Sequence, residues 1–122
     1  MKSLNKKIGS TGEDIAAQYL NKIGCTIIER NFNCRIGEID IIVKDGNYIV
    51  FVEVKTRYDV RHGMPREAVT TYKQHKIYKT AQYYIMMKKL FKLNFRFDVV
   101  EIIIDKENNN TSINLIKNAF QI

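Results

Sequence analysis

The sequence predicts a mixed α/β domain, a central sheet flanked by helices in the order αβββαβ, and three observations point to it. Two runs rich in β-branched residues, 39–43 and 48–54, are separated by Asp45-Gly46-Asn47, a strong hairpin signal. A helical spacing of apolar residues follows, from Thr70 or Thr71 to about Lys89, and then a further strand-like run at 94–104. Strand, long helix and strand together suggest a right-handed parallel crossover that sets residues 97–103 beside 48–54. With 122 residues, 45% of them hydrophobic and a single proline, the chain is expected to fold as one domain over residues 1–122.

Each element has its own local argument. Ser10-Thr11-Gly12-Glu13 has the form of a capping box, with Ser10 bonding the first turn and Glu13 reaching back. The helix it opens would bury Ile15, Ala16, Tyr19, Leu20 and Ile23 and stop at Gly24. Glu13 falls at the edge of that inward stripe, so it serves either as a cap or as a group facing the interior. Residues 25–32 read as the first strand on the strength of Thr26, Ile27 and Ile28, and 33–36 turn the chain into the hairpin.

After Lys55 the chain becomes polar and basic through residue 63, which reads as a loop whose Arg57 and Arg61 could meet phosphates. The bland alternative for each is a solvated charge. Pro65 opens a short helical turn through Val69. The long helix that follows buries Ile77, Ala81, Tyr84 and Ile85 and is loaded with Lys73, Lys76, Lys79, Lys88 and Lys89. Lysine runs of this kind usually form a solvated face. Lys73 and Gln74, in the first turn, are the members best placed to reach a site at the strand ends, with Lys76 one turn behind. A turn at Asn108-Asn109-Asn110 separates the strand at 94–104 from a short last one at 113–116.

The hairpin carries charges where strands of this kind are otherwise apolar: Asp40 in the first, Glu53 and Lys55 in the second. A two-residue loop at Asp45-Gly46 sets Asp40 diagonal to Glu53, and one at Gly46-Asn47 sets the two directly opposite. Both leave Asp40, Glu53 and Lys55 on one face. Two carboxylates a strand apart repel, which raises one pKa or recruits a cation, and hard oxygen donors suit Mg²⁺ or Mn²⁺. Against this, an acid two residues before a lysine arises by chance about once in a chain of this length, and surface strands commonly pair Glu with Lys. The apolar setting and a further acid upstream at Glu13 favour a site.

Twenty Lys and Arg against thirteen Asp and Glu give a net charge of +7 and a pI of about 9.4. That excess draws polyanions, nucleic acid first among them. Cys25 and Cys34 lack the spacing of a zinc site, and His62 and His75 are too scattered to complete one, so the thiols are expected to be reduced and structural. No run approaches the length of a membrane span and residues 1–10 are basic and polar, from which a soluble cytoplasmic protein is expected, with no membrane partner.

Taken together, Glu13, Asp40, Glu53, Lys55 and Lys73 resemble the pattern of the PD-(D/E)XK nuclease superfamily, and within it the small bacterial YraN family. The resemblance rests on Gly9-Ser10-Thr11-Gly12-Glu13-Asp14, Gly37-Glu38-Ile39-Asp40, Phe51-Val52-Glu53-Val54-Lys55-Thr56-Arg57, Ala68-Val69 with Lys73, Arg96-Phe97-Asp98-Val99-Val100 and Asn118-Ala119-Phe120, and so covers almost the whole chain. Ile39 stands where the superfamily's name has proline. The resemblance implies a restriction-endonuclease-like core similar to Holliday-junction resolvases, and hydrolysis of nucleic-acid phosphodiesters, DNA in the first place, branched DNA included.

In that reading Asp40 and Glu53, with the Val54 carbonyl, would hold Mg²⁺ or Mn²⁺, Glu13 would join directly or through water, and Lys55 would orient the nucleophile or stabilise developing charge. Arg57, Arg61, Lys73, Gln74 and Lys76 would contact the nucleic acid, and a homodimer is left open. The rival is a nucleic-acid-binding module that keeps the nuclease fold with little or no hydrolysis. Glu13, Asp40, Glu53 and Lys55 are all intact, which argues against simple decay.

Overall fold

The computed structural model describes residues 2–58 and 69–121, with residues 2–10 as backbone only. Helix α1 (Lys2–Lys22) leads into β1 (Thr26–Asn33), β2 (Glu38–Asp45) and β3 (Tyr48–Tyr58). Then come α2 (Thr71–Lys88), β4 (Asn94–Asp105) and β5 (Asn110–Ile116). The strands form a five-stranded sheet in the order β1-β2-β3-β4-β5, antiparallel except for the parallel β3–β4 pair that α2 connects. This is the mixed α/β fold expected, consistent with a restriction-endonuclease-like core, with β5 as a further antiparallel edge.

The two helices cover opposite faces. Ala16 and Leu20 of α1 pack on Ile41, Val43, Val50, Val52, Val100 and Ile102, while Ile77, Ala81 and Tyr84 of α2 pack on Ile42, Ile49, Phe51 and Val99. Strand side chains alternate between faces, so Glu53 and Lys55 continue the α2-facing row of Ile49 and Phe51; on β2 the alternation breaks beside Asp40, since Ile39 and Ile42 both join the α2-side cluster while Ile41 joins the α1-side one. Phe51 sits against Tyr84 and Phe97, ring centroids 6.0 and 5.7 Å away, and Phe97 stacks in turn on Phe120.

The hairpin closes through Gly46-Asn47, with Asp45 paired to Tyr48 and Gly46 at φ +60°, where glycine carries no Cβ penalty. This is the Gly46-Asn47 loop of the two expected, and its register runs from Asp45–Tyr48 to Ile41–Val52. Gly24, at φ +102°, ends α1 with Cys25 N–H donating to Leu20 O at 2.9 Å, the αL stop expected. Thr70 caps α2 by accepting from Lys73 N at 3.2 Å.

Three local readings are corrected. Ser10 is not an N-cap: α1 already runs from Lys2, so the capping-box pattern lies inside the helix. Gly12 answers to packing instead, since a Cβ there would collide with the Thr56 hydroxyl of β3. Residues 56–58 are not loop but the end of β3, paired with Ile102, Ile103 and Ile104 of β4, whose edge satisfies their backbone groups despite their polar side chains. The burial stripes also shift. Ile23 is 44% exposed because α1 ends before it can turn inward, and on α2 Thr80 joins the fully buried residues, its hydroxyl bonded to Lys76 O at 2.7 Å, while Ile85 packs on the core half-buried.

The first strand is displaced by one residue from the expected bounds, with a register shift between Ile27 and Glu29. The last begins earlier, at Asn110. The expected helical turn from Pro65 falls outside the described residues. None of the described helices is long and apolar enough to cross a membrane.

Candidate functional site

The β2–β3 pairing ends at Ile41–Val52, which leaves Asp40 and Glu53 as the next residue on each strand. There the Asp40 carboxylate takes over the strand's role: Val54 N–H donates to its Oδ2 at 2.8 Å. Glu53 is buried, with 8% of its side chain exposed, and its Oε1 meets the Lys73 ammonium of α2 at 2.6 Å. The first turn of α2 thus reaches the strand acids, as the placement of Lys73 after Thr70 suggested.

The electrostatics follow from this crowding. Burial, then the charge of Glu53 and more weakly that of Glu13, push the Asp40 carboxyl up to about 7, against the pull of the Val54 N–H and Lys73. Burial works against the Lys73 ammonium, yet its hydrogen bond and charge contact with Glu53, with Asp40 and Glu38 behind, outweigh it and raise Lys73. Glu13, half-buried on α1, therefore acts on Asp40 from the far side of the sheet end.

Lys55 lies two residues beyond Glu53 on the same row and pairs in register with Glu101 of β4. Glu101 was not singled out from the sequence. It is a buried carboxylate, 3% exposed, with Arg57 Nε 3.7 Å from its Oε2. The signal that exposes Glu53, a charge interrupting an apolar strand, is present at Glu101 too, between Val100 and Ile102.

The candidate nucleic-acid contacts divide. Lys73 is at the acids and Lys76 lies over the Tyr72 ring at 5.4 Å, both on the exposed side of α2. Arg57 is turned inward, 17% exposed, and Gln74 donates its amide to Val69 O at 2.8 Å, closing the approach to α2. Arg61 lies outside the described residues.

Among the described residues no three His, Cys, Asp or Glu side chains stand close enough to hold a metal ion by themselves. The donor set is then the Asp40–Glu53 pair. All its donors are hard oxygens, and Mg²⁺ is usually held by one or two carboxylates with the remaining positions left to water and substrate phosphate. The residues present fit such an ion.

Residues 12–102 match the profile of a family described as "Uncharacterised protein family UPF0102". A UPF0102 protein of Clostridium kluyveri is 62% identical over 122 residues, spanning 100% of both chains. One of Clostridium botulinum (strain Loch Maree / Type A3) is 61% identical over 119 residues, 97% of each. Asp40, Glu53, Lys55, Lys73 and Glu101 all fall within the matched segment.

Proposed function

The chain belongs to the UPF0102 family, the YraN family, and we propose that this member is a metal-dependent nucleic-acid phosphodiester hydrolase, endonuclease-like in action. The observation that carries the reading is the pair of acids just past the end of the β2–β3 pairing, where burial and the charge of Glu53 raise Asp40 to about 7, with Lys55 two residues beyond Glu53 on its strand. Mutually repelling carboxylates destabilise a fold and persist where a cation or a proton is to be held.

Asp40 and Glu53 hold Mg²⁺ or Mn²⁺ in this reading, and the Val54 N–H keeps the Asp40 carboxylate aimed. When bound, the ion polarises the scissile phosphate and acidifies water. Lys55 places its ammonium where negative charge develops on the phosphate oxygens, a contact that gains strength in the transition state. Glu13 adds negative charge from α1, holding the site attractive to a divalent cation.

The binding-module reading has one observation in its favour: Lys73 already neutralises Glu53 at 2.6 Å. Cleavage of branched, flapped, linear and single-stranded DNA with Mg²⁺ or Mn²⁺ separates the two. Wild-type protein is expected to cut, and Lys55→Ala to cut at least about a hundredfold more slowly with nearly unchanged DNA affinity. Equal cutting by both would refute the role given to Lys55, and no cutting of any substrate by wild type would leave the binding module. Calorimetry tests the ion directly: Asp40→Asn is expected to weaken Mn²⁺ binding, and equal affinity in both proteins would remove the site.

A further inference from the structure

The outer side of α2 is used by nothing in that mechanism. Between it and residues 32–36 lies a groove of about 480 Å³, lined by Phe32, Arg35, Ile36, Tyr83 and Met87 among others. Its walls are apolar yet open to solvent: Tyr83 is 41% exposed, Met87 46% and Ile36 38%. The Tyr83 ring is not adrift. It stacks on buried Phe32 at 6.5 Å between centroids and 30° between planes, so its orientation is set by the core.

The charged residue in the groove's lining is Arg35, and the helix that forms its other wall is basic. α2 contains Lys73, Lys76, Lys79 and Lys88 and no Asp or Glu. Lys73, Lys76 and Lys79 follow one another at i, i+3 spacing, which destabilises a bare helix by like-charge repulsion. Lys79 lies four residues before Tyr83 and therefore on the same side of the helix. Neither Lys79 nor Arg35 makes an ion pair with a described residue. An apolar groove with an aromatic wall and cations beside it complements a planar base carried by a phosphate chain, and a base already paired and stacked in a duplex would first have to leave its stack.

We propose that this groove docks an unpaired nucleobase of a nucleic-acid single strand whose phosphates run past Lys79 and Lys76 to the acid pair. Ten residues of helix separate Tyr83 from Lys73, about 15 Å along the axis, which is on the order of four stacked nucleotides at about 3.4 Å each. The inference rests on the nucleic-acid half of the proposed function and adds a substrate class, strands with an unpaired segment a few nucleotides from the reacting phosphodiester.

Fluorescence anisotropy in EDTA, where nothing is cut, tests it with a labelled single strand of roughly 12 nucleotides, within the range such grooves span, and a blunt duplex of the same sequence. Tyr83→Ala is expected to weaken single-strand binding about tenfold, to leave duplex binding nearly unchanged, and Tyr83→Phe to bind as wild type. Equal losses on both substrates, or no loss, overturn the proposal. Should Tyr83→Ala not fold, Met87→Ala, at an exposed and uncharged position lining the groove, carries the same expectation. A wild-type protein that binds no nucleic acid at low salt sinks the functional reading itself, whereas binding that Tyr83→Ala leaves intact sinks only the groove. Sedimentation in which Tyr83→Ala turns a dimer into a monomer at unchanged DNA affinity assigns the groove to a second copy of the chain and overturns the proposal too.

Discussion

Between about pH 4 and 7 Asp40 retains a proton that its unfolded counterpart releases. Its carboxyl rises from an ordinary 3.8 to about 7, through burial first and the charge of Glu53 second. Between those values the folded protein binds more protons than the unfolded chain, so stability falls as pH rises. The contribution is fully present below about pH 4 and is lost as pH passes through about 7. At about 1.36 kcal/mol per pH unit it is on the order of 4 kcal/mol as an upper bound. Asp40→Asn keeps an oxygen for the Val54 N–H and removes the charge. Melting of the metal-free proteins from pH 4 to 8 is expected to show the variant gaining on wild type as pH rises, and parallel curves would contradict the crowding. Lys73 cannot relieve this alone, because its ammonium is committed to Glu53.

At the scale of the elements, the position of the site depends on how closely α1 approaches β3. At Gly12 the helix comes up against Thr56, whose hydroxyl fills the space a Cβ would need. Alanine is better than glycine in a helix interior by about 1 kcal/mol, while forcing an extra carbon into packed structure costs about 1–3 kcal/mol. The collision should win because Thr56 is β-branched, with little rotamer freedom to withdraw. Gly12→Ala is therefore expected to lower the melting temperature, and Thr56→Ala to restore it in the double variant. An additive double variant would mean that the contact is not the cause.

The hairpin, the Thr70 cap, the long helix and the parallel crossover are written in local patterns, and the apolar setting of Asp40 and Glu53 marks them as a pair. The Ser10 capping box misled because Gly12 answers to a strand far along the chain. Residues 56–58 misled because their polar side chains hide a backbone paired with Ile102–Ile104. Glu101 interrupts an apolar strand just as Glu53 does, but no second acid within the hairpin marks it.

For the molecule as a whole, a net charge of +7 and a helix bearing lysines without acids make a quantitative statement about salt. Each phosphate a lysine neutralises releases condensed counterions, so log K against log salt falls with a slope of about −0.7 per contact on a single strand and about −0.9 on B-DNA. Stacking of a base on Tyr83 releases none. The two kinds of contact therefore separate in one titration. Lys79→Ala is expected to flatten the single-strand slope by about 0.7, without altering which sequences are preferred. Tyr83→Ala is expected to lower the whole line while leaving its slope unchanged. If Lys79→Ala shifts affinity at every salt concentration equally, its ammonium does not meet a phosphate, and the path from the groove along α2 to the acid pair is wrong even if the protein binds DNA.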